Sequence, residues 1–310
     1  MRKYFIALAC VMLLGACKKN ENRTQNNNFL SFNSYEEFEE TRKVILGMTE
    51  NERMAWESSN NFKSFATECQ ELFYELKQKS TLSDENIVSF VENNRDKFYL
   101  LDENDGIYLR SHLEESYYYY LVNTDRIIQI ADKIIKVFDD GLMIGNPEDI
   151  ELIKSTKTYK ALKKEHIEYR DAFKTQLSSK EYDCNCNRQE TIARQTNNKN
   201  RTYIRVYVET DAPSSLYGNV SYCMTVRPYH KTAGIWYWCN RSITYDMTVR
   251  ITNGQTFTRK KLSAPSTSFV EQVCFTTISN ENILTSGFTN ISGWGKTPDA
   301  ECQVSCSMYP

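Results

Sequence analysis

The amino-acid sequence predicts an α+β protein: a mainly helical N-terminal domain with a small three-stranded meander, then a disulfide-stapled, β-sandwich-like C-terminal domain. Apolar residues recur at helical spacing from Asn33 to about Lys180, strand-type runs take over from Tyr203, and seven of the ten cysteines follow residue 180. A length of 310 residues fits two domains at roughly 150 residues each. With 25% charged and 40% hydrophobic residues, the chain is too apolar to stay disordered and too polar for a polytopic membrane protein. A net charge of −2 argues against a nucleic-acid partner.

Residues 1–16 read as a signal peptide. Arg2 and Lys3 give a positive start, and the apolar run Tyr4–Leu14 falls short of the roughly 20 residues that a membrane span needs. Leu14-Gly15-Ala16-Cys17 resembles a bacterial lipobox, so Cys17 is expected to be the lipidated first residue of the mature chain, with Cys10 leaving in the peptide. More than one acyl chain makes such an anchor stable. Residues 17–32 then form a polar stalk, KKNENRTQNNN in its first part. Lys18-Lys19-Asn20-Glu21 is similar to the Lys-then-acidic export signal of Bacteroidota surface lipoproteins, although it lacks the usual acidic run. The expected address is the cell envelope, on the outer membrane and facing the exterior.

Within 33–180, Ser34 and Glu37 make a capping box that opens the first helix, followed by Tyr35, Phe38, Ile45 and Met48 on one face. Thr49 and Glu52 make a second box, for a helix carrying Met54, Phe65, Phe73 and Leu76, with Asn60-Asn61 as a point of interruption. A third helix starts near Ser83 and carries Ile87, Phe90, Val91 and Phe98, and a fourth covers about Ser111 to Leu121. Residues 126–145 break the helical period with three short β-type runs, the last two separated by Asp139-Asp140-Gly141. Asn146-Pro147 starts another helix, and a charged one from about Ser155 to Ser178 closes the region. A linker at 181–201 precedes strands at Tyr203–Glu209, Val220–Arg227, Ile235–Asn240, Ser242–Thr252, Gln255–Leu262 and Val270–Ser279. Asn253-Gly254 is the strongest hairpin signal in the chain, because both residues tolerate positive φ.

The lipobox, the polar stalk, Phe32-Asn33-Ser34-Tyr35-Glu36-Glu37, Trp56-Glu57-Ser58 and the stretch from Leu121-Val122-Asn123 to Gly145 together resemble uncharacterised cell-envelope lipoproteins of Bacteroidota. The resemblance covers about residues 1–155. It implies an envelope address and carries over no activity and no catalytic residue.

In an exported chain, disulfides are the default state of cysteine. Cys69, Cys184, Cys186, Cys223, Cys239, Cys274, Cys302 and Cys306 remain after processing, and eight cysteines admit 105 pairings. A hairpin centred on Lys231 would set Cys223 opposite Cys239, near disulfide distance, and would put Met224 and Val226 on the face of Trp238 and Trp236. Cys184 and Cys186 are expected to pair with Cys302 and Cys306, clamping the two ends of the β region, while Cys274 either reaches Cys69 or stays free. The same four clamping thiols as a zinc site would need CxC and CxxxC spacings that depart from the common pattern, so neither a metal nor a cofactor is expected.

Three histidines lack HExxH spacing, and no GxSxG elbow, P-loop or GxGxxG occurs. Asp102-Glu103-Asn104-Asp105-Gly106 fails as a calcium loop, because Leu113 falls where the bidentate Glu belongs, and reads as an acidic turn between helices. What remains is aromatic. Trp236 and Trp238 read as core, Tyr117–Tyr120 as packing on and around a helix, and Trp294, between glycines in a loop, as the ligand-binding candidate. The function expected is therefore a non-enzymatic binding or adhesion module for a glycan or protein partner. A glycan-acting hydrolase, whose carboxylate pair has no local signature, is the alternative, and a structural envelope component the third reading.

Overall fold

The computed structural model describes residues 29–79, 83–103, 106–114, 116–171, 190–197, 199–209, 220–232, 234–239, 241–250, 256–261, 267–268, 271–277, 289–298 and 300–308. After the short strand β1 (Ser31–Phe32), helix α1 (Tyr35–Gly47) starts where Ser34 Oγ accepts from the Glu37 amide at 3.3 Å. The Glu37 carboxylate reaches one residue further back than a capping box requires, accepting from the Asn33 amide at 2.7 Å. Helix α2 (Glu50–Ser59) has the full reciprocal box, with Thr49 N–H donating to Glu52 at 2.7 Å and Glu52 N–H donating to Thr49 Oγ1 at 3.4 Å. Asn61, at φ 48°, breaks the chain before α3 (Phe65–Lys79), and Ser83 caps α4 (Asp84–Asn93). Phe38, Ile45, Phe65, Cys69, Phe73 and Ile87 bury the inner faces of these helices in one core.

Beyond α4 the chain departs from the prediction, and the N-terminal region is not mainly helical. Strands β2 (Phe98–Glu103) and β3 (Gly106–Ser111) form a hairpin. Asp102, Glu103 and Gly106 of the acidic segment therefore belong to paired strands, Glu103 opposite Gly106, and the segment does not join two helices; Gly106 takes φ 139°, a value open to glycine. The helix expected over Ser111–Leu121 is a succession of turns in which Tyr117, Tyr118, Tyr119 and Tyr120 are all buried. A surface helix cannot bury four consecutive side chains. Each ring finds a separate seat: Tyr117 lies 3.3 Å under the Arg42 guanidinium, Tyr118 packs on Phe38, Tyr119 on Phe65, and Tyr120 lies under Arg53 at 4.7 Å.

The meander is present as β4 (Ile127–Ile130), β5 (Lys133–Phe138) and β6 (Gly141–Gly145), and it belongs to a larger sheet. β1 joins it in parallel on one side and β7 (Glu168–Asp171) on the other, giving the order β1-β4-β5-β6-β7. Both faces of this sheet are apolar. Ile128, Ile130, Ile135 and Val137 meet the helical core, while Ile127, Ile134 and Met143 face Ile153 of α5 (Ile150–Ser155). The charged helix expected to run from Ser155 to Ser178 does not form over its described part: α5 ends at Ser155 and its last carbonyls are taken by a lysine. Lys136 Nζ donates to Ile153 O at 3.3 Å and Lys154 O at 2.9 Å, a favourable position for a cation.

The remaining strands are β8 (Glu190–Asn197), β9 (Asn200–Glu209), β10 (Val220–Thr232), β11 (Ile235–Trp238), β12 (Arg241–Ser242), β13 (Thr244–Arg250), β14 (Thr256–Lys261), β15 (Thr267–Ser268), β16 (Glu271–Thr277), β17 (Thr289–Lys296) and β18 (Glu301–Met308). A seven-stranded sheet runs β2-β3-β11-β10-β9-β8, with β16 also on β10. Its β3–β11 pair is parallel, Ile107 beside Ile235 and Tyr108 beside Trp236, so one sheet draws strands from both sides of the expected linker. Residues 190–197 and 200–201 of that linker are themselves in strands β8 and β9. Ile204, Val206, Met224 and Val226 on one face of the sheet meet Met247, Val249 and Ile291 of a second sheet, ordered β14-β13-β17-β18. The opposite face, with Tyr203 and Tyr229, packs into the helical core.

The disulfide pattern read from the sequence does not hold. In the β10–β11 hairpin Trp238 faces Tyr229 where Met224 was expected, and Trp236 faces Lys231. That displacement is by an odd number of residues, which moves Trp236 and Trp238 to the other face, away from Met224 and Val226. Cys239 is buried and outside any disulfide, as are Cys69 and Cys302. Cys223 is disulfide-bonded, and the residue across the sheet from it is Cys274 of β16. Burial pushes the Cys302 thiol up to about 11, so it is an unreactive core group and does not clamp the end of the sheet. Cys184 and Cys186 lie outside the described residues, as does the side chain of Cys306.

Candidate binding face around Trp294

Ser292-Gly293-Trp294-Gly295 is not a loop: it occupies the middle of strand β17, between β13 and β18. Strand alternation sends Gly293 and Gly295 to one face and Trp294 to the other. The glycine face is the inner one. A methyl group on Gly293 would sit 2.5 Å from Met224 Sδ, and one on Gly295 would sit 2.6 Å from Val226 Cγ1, so a side chain at either position would force the facing sheet to give way. Trp294 therefore projects outward, half-buried among the side chains of the outer face.

Cross-strand pairing defines what surrounds it. Lys260 of β14, Asp246 of β13, Trp294 and Gln303 of β18 form one rung, with neighbouring Cβ atoms about 4.5–5.5 Å apart. The next rungs are Thr258, Thr248 and Ser292 on one side and Thr244, Lys296 and Glu301 on the other. Lys260 Nζ pairs with Asp246 Oδ2 at 2.7 Å, Lys296 Nζ with Glu301 Oε2 at 3.4 Å, and the Thr248 and Thr258 hydroxyls meet at 3.2 Å. Ser292, Lys296, Glu301, Gln303, Thr258 and Lys260 are exposed to solvent. The indole is thus ringed by hydroxyl, amide, carboxylate and ammonium groups, a set able to stack on and hydrogen-bond to a ligand. Asp246 and Gln303 escaped the sequence reading; treating Gly-Trp-Gly as inward-outward-inward strand residues gives the outward face of Trp294 but not the partners that register sets beside it.

The other polar concentrations are internal. Glu114 accepts from Arg110 Nη1 at 2.5 Å, from Ser111 N–H at 3.1 Å and from Arg227 Nη1, and its backbone carbonyl accepts from Arg227 Nη2 at 2.7 Å. Arg110 also lies 5.2 to 5.4 Å from the rings of Tyr203, Tyr108 and Tyr229. Arg110, Glu114 and Arg227 are all buried, so this node joins the hairpin β2–β3 to β10 and offers no access to a substrate. The histidines are engaged as well. His112 Nδ1 stands 2.5 Å from Asp139 Oδ2 and its Nε2 3.0 Å from Arg95 O, His166 pairs with Asp149 at 2.8 Å, and His230 with Asn200 at 2.7 Å. Among the described residues no group of three His, Cys, Asp or Glu side chains could hold a metal ion, and no helix is long and apolar enough to cross a membrane. Cys17 lies outside the described residues.

No family model matches the chain, and no curated protein matches it. Among solved structures the chain is similar to a DUF4848 family protein from Bacteroides thetaiotaomicron, at 15% identity and a TM-score of 0.31, over 92% of this chain and 98% of the other. At this identity and score the likeness assigns neither activity nor ligand.

Proposed function

We propose that the protein is a lipid-anchored lipoprotein of the cell envelope whose outer sheet face, centred on Trp294, binds a glycan or protein partner without turning it over. One observation carries the binding reading: a half-buried indole in the middle of a solvent-facing rung, between two glycines that pack inward against the facing sheet. The anchoring part rests on the lipobox, with Cys17 as the acylated residue, and on the polar segment that follows it. Function carried by the exposed surface of a scaffold is common among binding proteins.

The binding part is tested with soluble protein from Phe29 onward, made under oxidising conditions and applied to a combined glycan and glycoprotein array. Specific hits that Trp294→Ala removes are expected, with circular dichroism and Tm unchanged. Hits that Trp294→Ala leaves intact would place recognition elsewhere, and turnover of a bound glycan would replace the binding module with a hydrolase. For the anchor, mass spectrometry of the mature N-terminal peptide is expected to find acylated Cys17, and Cys17→Ala is expected to release the protein from the membrane fraction.

A further inference from the structure

We infer, resting on the reading of Trp294 as a ligand contact, that the partner of this face is an uncharged glycan, one sugar ring lying on the indole with its hydroxyls held by Asp246 and Gln303. The charges around Trp294 cancel. Lys260 is paired with Asp246 at 2.7 Å on the rung of Trp294 itself, and Lys296 with Glu301 at 3.4 Å on a neighbouring rung. An acidic partner drawn to either lysine meets the adjoining carboxylate, and a basic partner drawn to either carboxylate meets the adjoining ammonium, so neither sign is favoured. Among the described residues, the next charge on the face is Arg250, four residues along β13 from Asp246, about 13 Å away by strand rise and beyond the Debye length of about 8 Å in physiological salt.

What the face does offer suits a neutral polyol. Asp246 uses Oδ2 for its lysine, and a carboxylate has capacity for further hydroxyl donors. Gln303, exposed on the other side of the indole, supplies both a donor and an acceptor. The two stand about 10 Å apart across the Trp294 strand, on opposite flanks of the aromatic plate. Ser292 and Thr248 add hydroxyls on the next rung, where a second sugar would extend along the strand. The indole supplies apolar area for the ring's C–H face and loses little rotamer freedom on binding.

The test sorts array hits by charge and then titrates the best one calorimetrically. Neutral glycans are expected to dominate, with a Kd that changes less than about twofold between roughly 0.05 and 0.5 M salt. Asp246→Asn and Gln303→Ala are each expected to weaken binding by about fivefold or more at unchanged Tm. If the Trp294→Ala-sensitive hits are sulfated, sialylated or uronic-acid glycans, or proteins, the neutral-glycan inference fails while the binding face stands. If Trp294→Ala affects no hit, the binding face fails too.

Discussion

Single residues in this chain do unequal work, and the buried charged ones are the most exacting. Glu114 serves two arginines that have no water to fall back on, and removing one partner of a buried pair leaves the others stranded. Glu114→Gln is expected to lower unfolding free energy by about 3–5 kcal/mol, read from chemical denaturation. Glu57 is the contrasting case. Burial raises its pKa even though its carboxylate accepts from Ser64 N–H at 3.2 Å and Thr67 Oγ1 at 2.9 Å. A carboxyl raised in the fold contributes most below its unfolded value of about 4.3, and that contribution is lost as pH rises through the folded value. Wild type is therefore expected to gain stability relative to Glu57→Gln as pH falls from neutral toward 4, by denaturation at several pH values; a gap that is flat or of opposite slope would contradict this. Neither residue was legible in the sequence, because a Glu or Arg reads as surface until its partners from distant segments are known.

At the scale of elements, short-range signals succeeded and pairing choices did not. The caps at Ser34, Thr49 and Ser83 start helices where the sequence puts them, since a cap depends on residues three positions away. The Asn253-Gly254 hairpin is present as the antiparallel pair β13–β14, and the turn residues themselves lie outside the described residues. The β10–β11 register went the other way, because periodicity gives the faces of a strand but not which partner residue stands opposite. Trp236 and Trp238 are core, as the sequence reading held, yet in the layer against Phe73 and Phe98, on the side of the sheet opposite to the one predicted. The glycines of β17 were read as part of a loop and instead pack inside a strand against the facing sheet. Gly295→Ala is expected to cost about 1–3 kcal/mol through overpacking against Val226, measured as a drop in denaturation midpoint at unchanged slope.

For the whole molecule, the parallel β3–β11 pair is the decisive contact. It joins a hairpin from the first third of the chain to strands beyond residue 200, and the buried Arg227–Glu114 link reinforces it. Heat or denaturant unfolding is expected to be one event, with tryptophan emission and far-ultraviolet dichroism tracing the same curve. Two separated transitions would show that the halves are energetically independent despite the shared sheet. The thiol state gives a second global check: Cys69, Cys239 and Cys302 are expected to resist alkylation until the protein is denatured. The sequence exposed the helical opening, the meander and the strand-rich end. The sheet that unites them was hidden because its seam is a parallel pairing between distant segments, which no local pattern announces.

Recognition is proposed to occur on the outer face of the β14-β13-β17-β18 sheet, through Trp294. The most direct test is calorimetric titration of the best array ligand into wild type and Trp294→Ala, with thermal unfolding of both run in parallel. The account predicts saturable binding by wild type, a loss of at least about tenfold in affinity for Trp294→Ala, equivalent to about 1.4 kcal/mol, and equal Tm values. Undiminished affinity in a folded Trp294→Ala protein would contradict it.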